Sequence, residues 1–257
     1  MTGSRIFEEC LAGEGCIPSV VILDLDGRRI QMFQPKQGAQ GSDTPCASIV
    51  RISWVWEDSV GVECHATPSL SEYVEVSVAT GKTVRDLLGY GFAPSPDGKL
   101  VAHVGPIIHF APPFSQSNHL FFDNTVVYPL PKETKPVLQK PFEETLDVVQ
   151  IQRSKHIGIH SFVPPFAWSP NSKKVAFIDC VFDWIETGAT DSGGNLIGNA
   201  TASRCSIAAV SLTGSFVLFA LRDLPPEAIS HSRVWWVDNE RVRLEFSTTT
   251  TKTFIIP

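Results

Sequence analysis

One fourteen-residue phrase occurs twice in the chain and constrains its fold more than any other feature. Residues 92–105 read FAPSPDGKLVAHVG, and residues 166–179 read FAWSPNSKKVAFID. In the shared Ser-Pro-Asp/Asn turn, proline presets φ, and Asp-Gly tolerates the positive φ that a tight hairpin needs. Apolar and polar residues alternate on the strand that follows the turn. Each copy therefore predicts a β-hairpin.

Two weaker copies and a second kind of strand pair extend this pattern. The weaker copies are ISWVWEDSVGV at 52–62 and VWWVDNERVRL at 234–244. The second kind of pair has a turn reading LDGR, ATGK or LTGS, and it occupies 18–33, 72–88 and 206–221. Two successive hairpins make a four-stranded antiparallel sheet, and radial repetition of such sheets is the β-propeller.

The phrases at 92–105 and 166–179 resemble the WD40-like repeat of TolB-type propellers, whose signature is close to a Trp-Ser-Pro-Asp-Gly-Lys run before an apolar strand. The resemblance implies a propeller scaffold. Members of this family are mostly extracytoplasmic binding and assembly proteins, and similar propellers cap the catalytic domains of some peptidases. Pro94 departs from the pattern, because the other three copies have a tryptophan at this position. Those tryptophans are Trp54, Trp168 and Trp236.

The spacing of the four copies bounds the number of blades. Their equivalent positions lie between 40 and 74 residues apart, whereas one blade takes about 40–45 residues. We predict one all-β propeller domain, 1–257, of four or five four-stranded antiparallel blades, with long insertions at about 105–165 and 185–204. The strands at 18–33 and 234–247 would pair into one shared blade and close the ring. A six-bladed ring and a fragment of a larger protein are the alternatives.

The six cysteines form three pairs whose members are close in the sequence. The pairs are Cys10 with Cys16, Cys46 with Cys64, and Cys180 with Cys205. Local pairing favours disulfides and hence an oxidising compartment, and buried free thiols are the alternative. No spacing suits zinc, and we expect no metal and no cofactor. The pattern predicts a periplasmic or secreted protein whose signal peptide is not part of this chain.

Composition excludes some classes of partner. The net charge of −6 and the lack of a Lys/Arg cluster argue against nucleic acid and against an anionic membrane surface. The longest apolar runs are far shorter than the roughly 20 residues needed to span a bilayer. An apolar content of 43% with 19% charged residues is ordinary for a folded domain.

Histidines are the residues that could carry chemistry, because five of the seven lie between positions 103 and 160. They are His103, His109, His119, His156 and His160. One interpretation gathers several of them with Asp179 or Asp183 around a metal in a central channel, for a hydrolase or lyase. The other places His103 on a half-buried strand and the rest on loops or strand ends. On a strand, His156 and His160 would share a face about 13 Å apart, too far to chelate one ion.

Aromatic residues beside the insertions are the candidate binding surface. The motif HFAPPF at 109–114 and the residue Trp184 would form an apolar patch if they are exposed. No zinc-protease, nucleophile-elbow or phosphate-loop motif occurs. We therefore expect a non-enzymatic extracytoplasmic propeller that binds a protein or peptide, with the hydrolase or lyase as the alternative. The candidate binding residues are His103, His109, Phe110, Phe114, His119, His156, His160 and Trp184.

Overall fold

A computed structural model describes twelve stretches of the chain. They are residues 5–10, 18–37, 44–56, 58–67, 70–105, 119–128, 156–190, 192, 196–200, 204–221, 232–247 and 250–257. Within these ranges the backbone forms antiparallel strands and turns and no helix, which confirms the all-β prediction. The same ranges accordingly contain no helix that is long and apolar enough to cross a membrane.

The chain divides into two compact units, Met1–Tyr90 with Pro141–Glu144 and Gly91–Lys140 with Thr145–Pro257. The strands up to the unit boundary are β1 (Arg5–Cys10), β2 (Pro18–Leu23), β3 (Arg29–Phe33), β4 (Lys36–Gln37), β5 (Thr44–Pro45), β6 (Ile49–Trp56), β7 (Ser59–Thr67), β8 (Leu70–Ser77) and β9 (Thr83–Pro94), which crosses it. The strands beyond it are β10 (Val101–Val104), β11 (Leu120–Phe122), β12 (Thr125–Tyr128), β13 (His156–Trp168), β14 (Lys174–Thr190), β15 (Leu196–Ala200), β16 (Arg204–Ser211), β17 (Phe216–Ala220), β18 (Arg233–Trp236), β19 (Arg241–Ser247) and β20 (Thr250–Ile255).

The first unit contains the four-stranded sheet that two successive hairpins predict. Its strand order is β6-β7-β8-β9, and separate sheets are formed by β1-β2-β3 and by β4-β5. Strand β2 packs on this sheet, since Val20 and Ile22 share one buried cluster with apolar residues of β7 and β8. The disulfide between Cys46 and Cys64 lies in the same cluster and confirms that predicted pair.

The second unit holds three sheets. The last residues of β9 belong to a sheet with the strand order β9-β10-β11-β12. The next sheet has the order β13-β14-β16-β17, and β15 pairs with the end of β14. The third sheet is β18-β19-β20. The second disulfide, Cys180 to Cys205, joins directly opposite residues of β14 and β16 and confirms a second predicted pair.

The repeated phrase forms the same turn in both strong copies. Ser95 N donates to the Leu100 carbonyl at 2.8 Å, and the Ser95 hydroxyl accepts from the Leu100 amide at 3.0 Å. Ser169 makes the same two bonds with Lys174, at 2.8 and 3.0 Å. Ser172 adopts φ 57° at the position where the first copy has a glycine. The turn geometry is therefore preserved although the second copy lacks Asp-Gly.

Tryptophans connect three consecutive repeats of the second unit. Trp168 Nε1 donates to the Ala93 carbonyl at 2.7 Å, and Trp236 Nε1 donates to the Ala167 carbonyl at 2.8 Å. Both acceptors come directly before the equivalent position in the preceding repeat, so the two bonds are the same contact made twice. We call these bonds the indole links. Pro94 has no side-chain donor, so its repeat cannot donate an indole link.

The turns of these repeats also contact one another. The Asp97 amide donates to the Ser172 hydroxyl at 3.1 Å, and the Asn171 amide donates to Asn239 Oδ1 at 3.0 Å. In each case the backbone of one turn is bound by a side chain of the next turn along the chain. The three turns therefore form a continuous row.

The centre of the sheet β13-β14-β16-β17, at 175–180 of β14 and 207–210 of β16, is buried on both faces. One face shares an apolar cluster with β18 and β19, including Ile207, Trp236 and Leu244. The other face meets β11 and β12, where Phe122 packs on Trp168 at 5.0 Å and Tyr128 lies 5.7 Å from a ring of β14. This arrangement places β17 beside an aromatic residue of a neighbouring sheet on each face.

One expectation changes in the structure. Strand β2 pairs with β1, and β20 pairs with β19, so the described strands at 18–33 and 234–247 do not share a sheet as predicted, because each has a nearer partner in sequence. Strands β11 and β12 and the start of β13 occupy parts of the expected insertion at 105–165, and β14 and β15 occupy parts of 185–204. The pair Cys10–Cys16 extends outside the described residues. The single domain, the closed ring and the number of blades stay predictions.

The indole links predict a specific loss of stability. Replacing Trp168 or Trp236 by phenylalanine removes the donor and leaves a carbonyl without its partner, which costs about 1–3 kcal/mol of unfolding free energy. Trp56→Phe is the matched control, because Trp56 is 49% exposed and surface changes stay within about 0.5 kcal/mol. Urea unfolding followed by circular dichroism measures the three variants. Equal stability of all three would contradict a structural role for the indole links.

Candidate functional site

The histidines expected to gather around a metal do not form one site in the described chain. His109, Phe110 and Phe114 lie outside the described residues. His119 precedes β11, and its carbonyl accepts from Gly105 N at 3.4 Å. No group of three or more potential metal ligands occurs among the residues that the structure describes.

Two further candidates lie on β13, opposite β14. His156 faces Trp184 across the strand pair, and His160 faces Val181. Between His156 and Ile159 the register shifts, so three steps on β13 match two steps on β14. The regular alternation from which a shared face for His156 and His160 was predicted is therefore interrupted.

His103 lies in the core of the second unit rather than on a half-buried strand. It is fully buried on β10, stacked between Phe92 at 5.3 Å and Phe121 at 5.4 Å. Nε2 lies 2.8 Å from the Asp123 carbonyl, and Nδ1 lies 3.2 Å from the Val104 carbonyl. Burial lowers the pKa of His103 to about 4, although both carbonyl contacts oppose the shift. The neutral ring can donate to only one of these carbonyls, and both of its nitrogens face backbone oxygens inside the core instead of an open metal site.

Asp179, the other proposed member of a channel site, is also engaged. It is 2% exposed on β14, and Tyr128 Oη donates to its Oδ2 at 2.9 Å. Burial raises the pKa of Tyr128, and the neighbouring charge of Asp179 raises it further. The phenol of Tyr128 therefore stays protonated and donates to Asp179, which makes this contact a positioning one.

The exposed feature of this sheet is its last strand, β17. Within the described residues β17 pairs with β16 and lies at the end of the strand order. The hydrogen bonds at its two ends, Ser211 N to Ser215 O and Leu221 N to Cys205 O, set which of its residues bond to β16. Hydrogen-bonded and non-hydrogen-bonded pairs alternate along an antiparallel ladder. The amides and carbonyls of Phe216 and Leu218 consequently face away from β16, toward the side on which no described strand pairs with β17; we call this the open side.

The side chains of β17 are apolar on both faces of the sheet. Phe216 is 50% exposed and Leu218 is 46% exposed, whereas Val217 and Phe219 pack against the core cluster on the opposite face. No charged residue occurs from 212 to 221. Native proteins usually blunt an exposed edge strand with charge or proline, and the edge strands β3 and β20 do carry Arg29 and Lys252. We call β17 with its outward backbone groups the β17 edge.

The β17 edge is held in place by contacts behind it. The Phe216 ring meets the Tyr128 ring edge-on at 5.1 Å, and Tyr128 is anchored by Asp179. On the other face Phe219 lies 5.4 Å from Phe254 of β20. A half-exposed aromatic ring fixed in this way is the kind of residue that anchors protein interfaces.

Sequence reasoning assigned 206–221 to a hairpin and did not recognise its second strand as a binding surface. The available signal was the absence of charge over ten residues and the failure of polar residues to alternate in FVLFA. The signal was incomplete, because exposure of this strand depends on its place at the end of the strand order.

Comparisons with known proteins add little to this geometry. No protein-family model matches the chain, and no curated protein matches it. Among solved structures, the chain is similar to one titled Kuenenia stuttgartiensis Hydrazine Synthase, with 11% identity and a TM-score of 0.30. That alignment covers 79% of this chain and 65% of the other. A likeness at this level carries no argument about fold or function.

The environment of His103 predicts acid sensitivity. The pKa of His103 has its ordinary value of 6.5 in the unfolded chain and is about 4 in the folded chain. Between these values only the unfolded chain takes up the proton, so stability is full above about pH 6.5 and declines toward pH 4, by up to about 3 kcal/mol. In His103→Gln this part of the pH dependence should disappear.

Denaturant unfolding at pH 7.5, 5.5 and 4.5 measures the effect. His65→Gln is the matched control, because it makes the same substitution at an exposed histidine. An unaltered profile in His103→Gln would show that other groups cause the acid sensitivity.

Proposed function

We propose that this chain is a non-enzymatic, extracytoplasmic scaffold of the TolB-like propeller type that binds a protein or peptide partner at the β17 edge. The partner would contribute an extended segment that adds a strand beside β17. Backbone hydrogen bonds would supply affinity in this mode, and alternate side chains would supply selectivity.

A single observation carries the proposal: Phe216 and Leu218 expose apolar side chains while their backbone donors and acceptors face the open side of the sheet. An extended segment satisfies both features at once, because it pairs with the backbone and covers the side chains. A small polar ligand would satisfy neither. The fixed position of Phe216 lowers the entropic cost of binding, since that ring does not need to be ordered by the partner.

The two disulfides support an oxidising location. Structural disulfides persist in the periplasm and outside the cell and are rare in the cytosol, and Cys46–Cys64 and Cys180–Cys205 both lie in buried clusters. A periplasmic or secreted location is the proposal that follows from them.

The repeated indole links support the propeller part of the proposal. A contact that recurs between successive repeats is what radial repetition of a blade produces. Four or five blades, and a ring closed within one domain, belong to the same proposal. The alternative hydrolase or lyase has less support, because His103 and Asp179 are both bound inside the core.

Strand addition is tested with a labelled nine-residue peptide whose core reads Val-Thr-Val-Ile-Val and whose ends are each Ser-Gly. We expect saturable binding by fluorescence anisotropy, and at least a roughly tenfold loss in Leu218→Lys, because a charge on an edge strand opposes pairing. Leu218 is 46% exposed, so lysine is accommodated without disturbing the core.

Thr213→Lys is the matched control, since it adds the same charge in the exposed turn before β17. It should bind the peptide as the unmodified protein does. Two further peptides are N-methylated on alternate residues, one at the odd and one at the even positions. One of them should lose binding, because methylation removes the backbone donors that would face β17. Equal binding by Leu218→Lys and Thr213→Lys would refute a site at the β17 edge.

A further inference from the structure

The outward backbone groups of β17 are spaced as a second β17 strand requires. Leu221 N bonds to the Cys205 carbonyl, so the neighbouring pair of the ladder, which contains Ala220, is not hydrogen-bonded. The backbone groups of Ala220 therefore face the open side, as those of Phe216 and Leu218 do. Outward groups thus recur at every second residue from one end of β17 to the other.

Of the twofold arrangements in which two β17 strands run antiparallel, one uses all of these outward groups. With the axis at Leu218, that residue lies opposite its own equivalent and Phe216 lies opposite Ala220 of the second copy, which gives about six backbone hydrogen bonds. An axis at either neighbouring residue places one outward residue opposite the turn or beyond the end of the strand, and gives about four. The five residues of β17 therefore favour one register.

The side chains that this register brings together are apolar on both faces of the sheet. Leu218, which is 46% exposed, meets its own equivalent, and the half-exposed Phe216 lies opposite position 220, which is an alanine. On the other face Val217 lies opposite Phe219. The larger side chains thus lie opposite smaller ones, and the uncharged stretch from 212 to 221 brings no like charges together.

Twofold pairing also protects an edge strand that carries no charge. A twofold interface is closed, because each copy uses the same surface and no third copy can be added there. The outward backbone groups of both β17 strands are then paired, and neither remains open to aggregation. Two five-residue strands bury less than the roughly 1,600 Å² of a standard interface, so the dimer is expected to be weak.

We propose that the segment added at the β17 edge belongs to a second copy of this chain, and that the two β17 strands pair about a twofold axis at Leu218. This inference rests on the proposed strand addition and names its partner. It joins the sheet β13-β14-β16-β17 of each copy into one sheet that continues across the dimer. Phe216, whose ring lies 5.1 Å from that of Tyr128, is already ordered for this contact.

Cysteine cross-linking tests the register. Directly opposite hydrogen-bonded residues have Cα atoms about 5.5 Å apart, a distance that a disulfide spans. In Leu218→Cys the two new cysteines are opposite each other, so mild oxidation should give a covalent dimer. In the matched control Phe216→Cys they are four residues out of register, or about 13 Å apart, which is too far. We expect at least about fivefold more covalent dimer from Leu218→Cys, with the unmodified protein as background.

Analytical ultracentrifugation from about 5 to about 500 µM tests association without a cross-link, over a range suited to a weak interface. We expect the unmodified protein to shift from monomer to dimer, and Leu218→Lys to stay monomeric, because the substitution places like charges directly opposite each other. Thr213→Lys adds the same charge in the exposed turn and should dimerise as the unmodified protein does. Matching circular dichroism spectra establish that the variants are folded.

The outcomes separate this proposal from strand addition itself. Monomers at every concentration, with binding of the Ser-Gly peptide, would overturn the second copy and leave strand addition by another protein standing. Monomers without peptide binding would overturn strand addition as well. Dimers that survive Leu218→Lys, or that cross-link equally through positions 216 and 218, would show that the copies meet in a different way and would overturn the proposed register.

Discussion

A tryptophan N–H that reaches the backbone of the preceding repeat is the contact on which the second unit depends. Trp168 and Trp236 each donate to a carbonyl one residue before the equivalent position. These bonds join the sheets that carry Tyr128 and Phe254, and those two rings pack against β17 from its two faces. The rigid support of the β17 edge is thus a consequence of contacts made far from it in sequence.

Local chemistry explains what could be predicted from the sequence. The repeated turns are determined by residues within five positions of each other, so the hairpins of the two strong copies followed from Ser95 and Ser169 and their neighbours. The two described disulfides join residues that are 18 and 25 positions apart, so their pairing could also be predicted from spacing. Turns and disulfides that depend on residues close in sequence could therefore be predicted.

Packing between distant segments explains what could not be predicted. A histidine between two apolar residues in the sequence is compatible with a half-buried or a fully buried side chain. His103 is fully buried because Phe92 and Phe121, which are distant in sequence, stack on its two sides. The residues FVLFA indicate a strand in any context. Their exposure follows from β17 ending the strand order, a property of the sheet as a whole. The candidate site was therefore missed while the strand that forms it was found.

An uncharged edge strand is hazardous unless something restricts what can pair with it. A lysine at position 218 would remove the hazard without affecting the core, since that side chain is nearly half exposed and its amide faces outward. Residues 212–221 instead carry no charge, and the backbone groups of Phe216 and Leu218 face away from β16, which is the state that addition of a strand by a partner requires.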